Sequence, residues 1–477
     1  MKIITILLLT ICINCFGQNQ ANFWYFGNGV GLDFNNGCNP TVVTDGKIDG
    51  FEGCATISDK VSGQLLFYTN SDTVWNRNHI AMPNGQLVRN GRTITQVMIL
   101  EQPASDSIFY IITAEVQGFS GEGLRLHGVN MNLNGGLGGL IFKDSVLYSS
   151  AVTEKITAVR HANGTDIWLI AHEYNSNKFL SFLINSSGIN PIPIISPIGK
   201  IHFDATSFDA IGEMKASPSG SKLAVVTGRQ PNIELFDFNN LTGQLSNPIV
   251  LLENGGYDLI GNPSGLYGLS FSANSSMLYA SKWNLPSLGS PGQVMQFNIT
   301  SNDSALINNS RVNVFTSTSK SLYSLKLAPN RKIYVGQNVN SYIGVIDAPD
   351  NAGLSCNYID NGLYLNGKQS SWGLNNLMEY GDYCNEPTGQ AEIWKEDLNL
   401  KIYPNPAGNQ ISLEFDNINN ENFSFTIYDL RGQLVRKMTN ISTDKLVIDR
   451  QNLKSGLYII QLLSERQTVM TGKFIFE

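Results

Sequence analysis

A weak internal repeat constrains the fold of this chain more than any other feature of its sequence. Each unit begins with a short apolar strand, passes through a turn of Ser, Pro, Asn or Gly, and returns on a second strong strand. Six such pairs begin at Ala55, Val97, Ile156, Met214, Leu269 and Leu325. Four strands per unit, repeated every 40 to 60 residues or so, roughly as in known propeller arrays, are typical of propeller blades. The body of the chain is therefore predicted to be an all-β propeller.

Two further strands flank these six units. The first runs from Asn22 to Gly27 and the last from Ser371 to Leu377. If the first strand completes the blade that the last one begins, the ring closes at approximately seven blades and leaves no open sheet edge. Six or eight blades stay open as alternatives, because the second unit is long and carries the glycine-rich insertion 135–139.

The C-terminal stretch 398–477 reads as a separate small β domain. Alternating runs such as Gln410 to Phe415 and Phe423 to Asp429 are typical of half-buried strands. About seven short strands in roughly 80 residues favour an immunoglobulin-like β-sandwich. The polar, turn-rich segment 381–397 is predicted to be the linker that joins it to the propeller at 19–380.

Landmarks in this stretch carry a resemblance. The motif Tyr403-Pro404-Asn405-Pro406, the hairpin at Gly432, the turn and strand at Gly456 and Tyr458, and the closing Lys473 occur in order. Together they resemble the type A C-terminal sorting domain of type IX secretion cargo. The resemblance implies recognition by the type IX machinery and export through the periplasm to the cell surface or the medium, commonly followed by removal of the domain. The alternative is an ordinary immunoglobulin-like module with no role in transport.

The N-terminus agrees with export. Lys2 precedes an apolar run from Ile3 to Ile13, which is shorter than the ~20 residues of a membrane-spanning helix. We interpret residues 1–18 as a signal peptide that is cleaved near Gly17 or Gln18. No later stretch predicts a transmembrane segment.

Four cysteines follow the predicted signal peptide: Cys38, Cys54, Cys356 and Cys384. An even number in an exported chain is compatible with two disulfides, and the local pairings are Cys38 with Cys54 and Cys356 with Cys384. Four buried or free thiols are the alternative. No C-x-x-C spacing indicates a zinc or redox site.

The charge of the chain excludes some partners. A net charge of −7, with 15% charged residues, gives no electrostatic footprint for nucleic acid or an anionic membrane. The body is expected to be monomeric.

Turns in the body carry a second resemblance. The segments Ser217 to Leu223, Phe236 to Gly243 and Ala328 to Tyr334 look like those of lactonase-like seven-bladed propellers. These turn motifs are generic, so the resemblance implies the fold better than the activity.

Residues just before each inner strand are expected to crowd the mouth of the central channel. Aligning the units by their turns places seven residues there: Glu52, Gln96, Lys155, Glu213, Tyr267, Tyr323 and Trp372. Aromatic rings can stack on sugar faces, and carboxylates can accept sugar hydroxyls. The alternative is that these side chains only fill and solvate the channel.

His172 and Glu173 follow a strong strand and form another candidate pair. A histidine beside a carboxylate can act as an acid and base or hold a metal, whereas a hydrogen-bonded loop histidine is the structural alternative. No H-E-x-x-H, G-x-S-x-G or phosphate-binding loop is present. No motif predicts a metal site or a resident cofactor, and no catalytic residue is assigned. Ca²⁺ held by the channel carboxylates is an open alternative that no motif supports.

We therefore predict an exported propeller that acts as a binding module for a glycan or a surface protein. The alternative is a secreted hydrolase, lactonase-like in resemblance, that uses the channel mouth. A purely structural surface coat is the third hypothesis.

Overall fold

A computed structural model describes most of the chain. The described ranges are 19–87, 96–114, 121–202, 208–228, 232–252, 265–284, 290–379, 400–415, 423–429, 433–463 and 468–477. The chain divides into two compact units, Met1–Cys384 and Asn385–Glu477. Within the described ranges, no helix is both long and apolar enough to cross a membrane.

The first unit is built from antiparallel sheets, seven of them within the described ranges. The first sheet contains β1 (Phe23–Phe26), β2 (Val30–Asp33) and β3 (Thr41–Val43). The next two contain β4 (Ala55–Ser58), β5 (Leu65–Thr69), β6 (Thr73–Asn76) and β7 (Ala81–Gln86), then β8 (Val97–Glu101), β9 (Ile108–Thr113), β10 (Leu124–Asn130) and β11 (Gly139–Tyr148). The fourth contains β12 (Val152–Arg160), β13 (Ile167–Glu173), β14 (Lys178–Asn185), β15 (Gly188–Ile189) and β16 (Ile194–Pro197).

The remaining three sheets follow the same order. The fifth contains β17 (Met214–Ala216), β18 (Lys222–Thr227), β19 (Asn232–Asn239) and β20 (Gln244–Leu251). The sixth contains β21 (Leu266–Phe271), β22 (Met277–Lys282), β23 (Gly292–Asn298) and β24 (Val312–Ser317), with the short helix α1 (Ser304–Asn309) before β24. The seventh contains β25 (Leu322–Leu327), β26 (Ile333–Gln337), β27 (Tyr342–Ile346) and β28 (Tyr358–Tyr364).

The first strands of these sheets form a ring. β4 packs on β8, β8 on β12, β12 on β17, β17 on β21, and β21 on β25. Each of these strands begins a sheet in which the following strands pair in sequence order, which is the arrangement of propeller blades. The predicted all-β propeller is confirmed, and the six repeat units correspond to six of the blades.

The seventh blade joins the two ends of the body. Its three strands β1 to β3 come from the N-terminal side, and β1 packs on β4. The segment 371–378, which we call the closing segment, lies between β25 and β4. Ser324 donates its backbone N–H to the Trp372 carbonyl at 3.1 Å, and Trp372 donates to the Phe51 carbonyl at 2.9 Å. Asn376 then donates to the Cys54 carbonyl at 2.9 Å. The ring is therefore closed by hydrogen bonds between residues that are distant in sequence.

A glycine in the closing segment shows how tightly the two ends fit. A Cβ atom on Gly373 would lie 1.6 Å from the carbonyl oxygen of Glu52, well inside van der Waals contact. Only glycine allows the two backbones to approach this closely.

The second unit contains two sheets. The smaller one contains β29 (Lys401–Tyr403), β30 (Gln410–Glu414) and β33 (Lys445–Asp449). The larger one contains β31 (Phe423–Asp429), β32 (Leu434–Ile441), β34 (Gly456–Leu463) and β35 (Thr468–Phe476), in the spatial order β32-β31-β34-β35. Buried side chains including Leu413, Phe425, Ile460 and Phe474 fill the core. These seven strands agree with the predicted immunoglobulin-like sandwich.

The cysteines correct the sequence analysis. Cys54 and Cys356 are free and buried, so neither local pairing forms. The reason is the propeller geometry: Cys54 stands directly before the inner strand β4, among the apolar side chains that pack around β1. Cys38 is disulfide-bonded, and Cys384 lies outside the described residues.

Candidate functional site

A small pocket opens among the inner strands of the propeller. It is a narrow gap whose walls leave no room for a water molecule between them. Its lining comes from three blades and the closing segment: Gln96, Lys155, Ile156, Gly212, Glu213, Met214, Lys215 and Asn376. Three of the residues predicted for the channel mouth, Gln96, Lys155 and Glu213, therefore share this channel pocket.

The carboxyl group of Glu52 is buried beside it. The hydroxyl of Tyr267 donates a hydrogen bond to Glu52 Oε1. Burial raises the pKa of Glu52 to about 7, although hydrogen bonds from Tyr267 and Gln96 oppose the shift and the charge of Glu213 adds to it. Burial likewise raises the pKa of Tyr267 well above its ordinary value. Glu52 is thus an acid that titrates near neutral pH.

The second predicted carboxylate, Glu213, is fully engaged with the protein. Lys215 Nζ lies 3.3 Å from Glu213 Oε1, and the Ser324 hydroxyl donates to the same oxygen at 2.6 Å. The backbone N–H of Leu269 donates to Oε2 at 2.8 Å. These three donors compensate the buried charge, which would otherwise be costly.

Lys155 belongs to a chain of buried titratable groups. Its Nζ lies 3.3 Å from Nδ1 of His202, and His202 Nε2 lies 3.1 Å from Oε2 of Glu234. Lys155 also donates to the Asp209 carbonyl. Burial, and then the charge of Lys155, lowers the pKa of His202 well below its usual value. A neutral His202 with its proton on Nε2 donates to Glu234 and accepts from Lys155.

In the structure, the side chains of His172 and Glu173 contact different groups. The His172 ring is fully buried and stacks on His202 at 3.8 Å between ring centroids. Among the described residues, neither ring nitrogen has a hydrogen-bond partner, and burial lowers the His172 pKa well below its usual value. Glu173 instead accepts from Lys178 Nζ at 2.8 Å and from the Tyr148 hydroxyl. The two neighbours therefore do not form an acid and base pair.

Aromatic side chains line up beside the channel pocket. Trp283, Tyr323 and Trp372 are nearly parallel, with 6.0 Å between the first two ring centroids and 4.4 Å between the last two. The ring centroid of Phe51 lies 4.7 Å from that of Trp372, and the Phe51 side chain is 39% exposed. We call these four rings the aromatic row. Tyr267 contacts Tyr323 and Trp372 edge-on, which connects the row to Glu52.

Several residues of this region escaped the sequence analysis: Trp283, His202, Lys215, Glu234, Ser324, Lys326 and Asn376. Some had a usable signal. Lys215 lies two residues after Glu213, and Lys326 two residues after Ser324, so period-2 alternation extends the channel-facing positions along the inner strands. His202 lies outside the regular strands and Asn376 in the closing segment, where no periodicity applies. Within the described part of the chain, no group of three or more His, Cys, Asp or Glu side chains is arranged to hold a metal ion.

The residues of the sorting motif have structural contacts in the second unit. The Asn405 side chain donates to the Lys473 carbonyl at 3.1 Å and accepts from the Ile475 backbone N–H at 2.9 Å. Tyr458 is buried and stacks on Phe474 at 5.6 Å. Tyr403 and Lys473 are exposed, whereas Gly432 lies outside the described residues.

The sequence of this unit matches a known family. Residues 401–477 match the family described as a secretion system C-terminal sorting domain. The predicted type A sorting domain is confirmed, and the protein is delivered to the cell surface or the extracellular space. No curated protein matches the chain.

Solved structures of low sequence identity resemble the chain in part. A putative 6-phosphogluconolactonase from Bacteroides fragilis is 11% identical, with 83% of this chain and 98% of that chain covered and a TM-score of 0.40. The periplasmic gluconolactonase PpgL of Pseudomonas aeruginosa is 10% identical over 81% of this chain and 94% of its own, with a TM-score of 0.37. The extracellular domain of the putative hybrid two-component system BT3049 from B. thetaiotaomicron is 10% identical, with 97% of this chain and 55% of that chain covered and a TM-score of 0.35. TM-scores this low do not support a fold assignment. The assignment of the propeller fold therefore rests on the strand topology described above.

The buried acid predicts a pH-dependent stability. The pKa of Glu52 rises from 4.5 in the unfolded chain to about 7 in the folded one. Between these values the folded state keeps a proton that the unfolded state has lost, so stability falls as pH rises through this window, by an amount on the order of 3 kcal/mol. Urea unfolding of the purified protein at pH 4.5 to 8 is expected to show that loss, and Glu52→Gln is expected to reduce it. The exposed Glu122→Gln serves as the matched control and should keep the wild-type slope. An unchanged slope in Glu52→Gln would contradict the assignment.

Proposed function

We propose that the exported propeller is a glycan-binding module whose ligand rests on the aromatic row at the mouth of the channel. The observation that carries this proposal is the outer end of the row: Phe51 is 39% exposed and Trp372 is half-buried, and the buried rings of Tyr323 and Trp283 stack behind them. Flat aromatic rings bind the apolar faces of sugars, and neighbouring polar groups bind the hydroxyls.

Polar groups for that second task lie next to the row. The indole Nε1 of Trp372 is a buried donor that bonds to no other group in the described part of the chain. Glu52 is connected to the row through Tyr267, and near its pKa of about 7 it can either donate or accept a hydrogen bond. An aromatic platform beside such groups suits a polar ligand with apolar faces better than a protein surface of unknown chemistry.

The state of the carboxylates favours binding over hydrolysis. Glu213 is already held by Lys215, Ser324 and the Leu269 backbone, so it is a weak candidate for a general base. Hydrolysis nevertheless stays the second candidate function, because a carboxylic acid with a pKa near 7 can serve as a general acid.

The rest of the chain organisation follows the sequence interpretation. We propose a signal peptide at 1–18, the propeller at 19–380, a linker at 381–397 and the sorting domain at 398–477. The exported propeller acts as a monomer, and it recognises its ligand without a resident cofactor.

Binding can be tested on the aromatic row directly. The mature protein is screened on a glycan array, and the affinity for each hit is measured by calorimetry. Replacing Phe51 and Trp372 together by Ala is expected to weaken binding at least about tenfold, as loss of central aromatic contacts does. The control replaces Tyr342 and Tyr364, an exposed ring pair on β27 and β28 that lies 5.0 Å apart. Equal losses in the two double variants, or no glycan bound at all, would contradict the proposal. Turnover of a bound glycan or lactone, abolished by Glu52→Gln, would favour the hydrolase instead.

Export depends on the sorting domain. Deleting Leu398 to Glu477 is expected to leave the propeller in the periplasm, because the sorting domain carries the signal for export across the outer membrane. Cell fractionation with an antibody against the propeller measures this. Unchanged delivery of the truncated chain to the surface would refute it.

A further inference from the structure

Five apolar side chains lie together on the outward side of the larger sheet in the sorting domain. The register places Leu434 opposite Tyr428, and Tyr428 opposite Ile459. On the next pair of strands, Leu457 lies opposite Ile475. Cross-strand partners point to the same side of a sheet, so these side chains form one continuous surface. We call it the apolar face.

The apolar face is not needed to build the core. The alternate residues of the same strands, among them Ile427, Ile460 and Phe474, point inward and are buried. Leu434, Ile459 and Ile475 are 49%, 37% and 38% exposed. Contiguous exposed apolar residues on a soluble domain commonly mark an interaction site.

The opposite sheet of the sandwich has a different surface. Its outward positions are Lys401, Tyr403, Gln410, Ser412, Glu414, Lys445, Val447 and Asp449, and four of these eight residues carry a charge. The apolar face, by contrast, is bordered by two basic residues, Lys437 opposite Thr426 and Lys473 opposite Ile459. Among the described residues, one acidic group lies at the end of the face: Glu477 follows Ile475 by two residues, and the guanidinium of Arg450 donates to its carbonyl oxygen. A partner that complements this face would have an apolar centre and an acidic border.

Of the residues that carry the family resemblance, Tyr403 and Lys473 are exposed and Lys473 borders the apolar face, whereas Asn405 and Tyr458 are used by the fold itself. The side-chain amide of Asn405 is hydrogen-bonded to the backbone of β35. Tyr458 is buried, and its hydroxyl donates to the Lys454 carbonyl at 2.7 Å. These residues hold the sandwich together, and recognition from outside requires side chains that the fold leaves exposed.

We propose that the apolar face is the surface by which a protein of the export machinery recognises this domain. That protein presents an apolar patch with acidic residues around it. A protein partner is favoured over a lipid surface because the polar Gln461 lies two residues from Ile459 on the same side of the sheet. The inference rests on the match to the sorting family and is independent of ligand binding by the propeller.

The test introduces a charge into the face of the full chain in a bacterium that exports it. Ile459→Glu puts an acidic group at the centre of the face, where it meets the apolar patch and repels the acidic border of the partner. Val447→Glu is the matched control, since Val447 is 52% exposed on the middle part of a strand in the opposite sheet. The fraction of the protein at the surface or in the medium, against that in the periplasm, is measured by fractionation and protease accessibility. Ile459→Glu is expected to lower the exported fraction at least about tenfold, and Val447→Glu to leave it unchanged.

Thermal unfolding of the purified full-length variants separates recognition from folding. If Ile459→Glu unfolds, Ile475→Glu on the neighbouring strand replaces it under the same criteria. Normal export of a folded Ile459→Glu chain would overturn the proposal, and so would an equal export defect in Val447→Glu. Binding of the wild type, but not of Ile459→Glu, to phosphatidylethanolamine vesicles would assign the face to lipid and would also overturn it. Glycan binding by the same variants is measured separately, so failure of this proposal leaves the function of the propeller untouched.

Discussion

The hydrogen bonds of the closing segment are the constraint on which the propeller depends. The segment joins β25 at one side to β4 at the other, through the Trp372 and Asn376 backbone groups. The Asn375 side chain adds a bond from the Thr56 N–H at 2.7 Å. The same segment supplies Trp372 to the aromatic row and Asn376 to the channel pocket. The same segment therefore closes the ring and completes the candidate site.

Closure also brings unusual charges into the interior. Lys215 lies against Glu213, and Lys326 donates to the Leu377 carbonyl at 2.6 Å and to Glu379 at 2.7 Å. Burial of an unpaired ammonium group would be strongly unfavourable, so each lysine requires its partners to be in place. Burial lowers the pKa of Lys326 even with Glu379 beside it. Such a network stabilises one arrangement of the blades, and it leaves Glu52 as the acid that titrates near neutral pH.

The sequence was informative where periodicity applied and uninformative where long-range contacts decided the outcome. Turn residues located the blades, and through them Gln96, Lys155 and Glu213, which share the channel pocket. His202 and Asn376 could not be located in this way, because they lie outside regular strands and reach the channel through the tertiary fold. The predicted disulfide pairings were wrong for a related reason. They were based on closeness in sequence, which does not predict that Cys54 is buried on the inner side of a blade. The sorting domain was predictable from its motif, whereas the apolar face required the strand register.

Amide hydrogen exchange of the mature protein tests the central claim most directly. If the closing segment completes the ring, peptides that cover 371–378 will exchange as slowly as those of β4 and β25, since all three lose protection only when the ring opens. Fast exchange in 371–378 beside slow exchange in β4 would show that the ring is stable without this segment, and it would contradict the account.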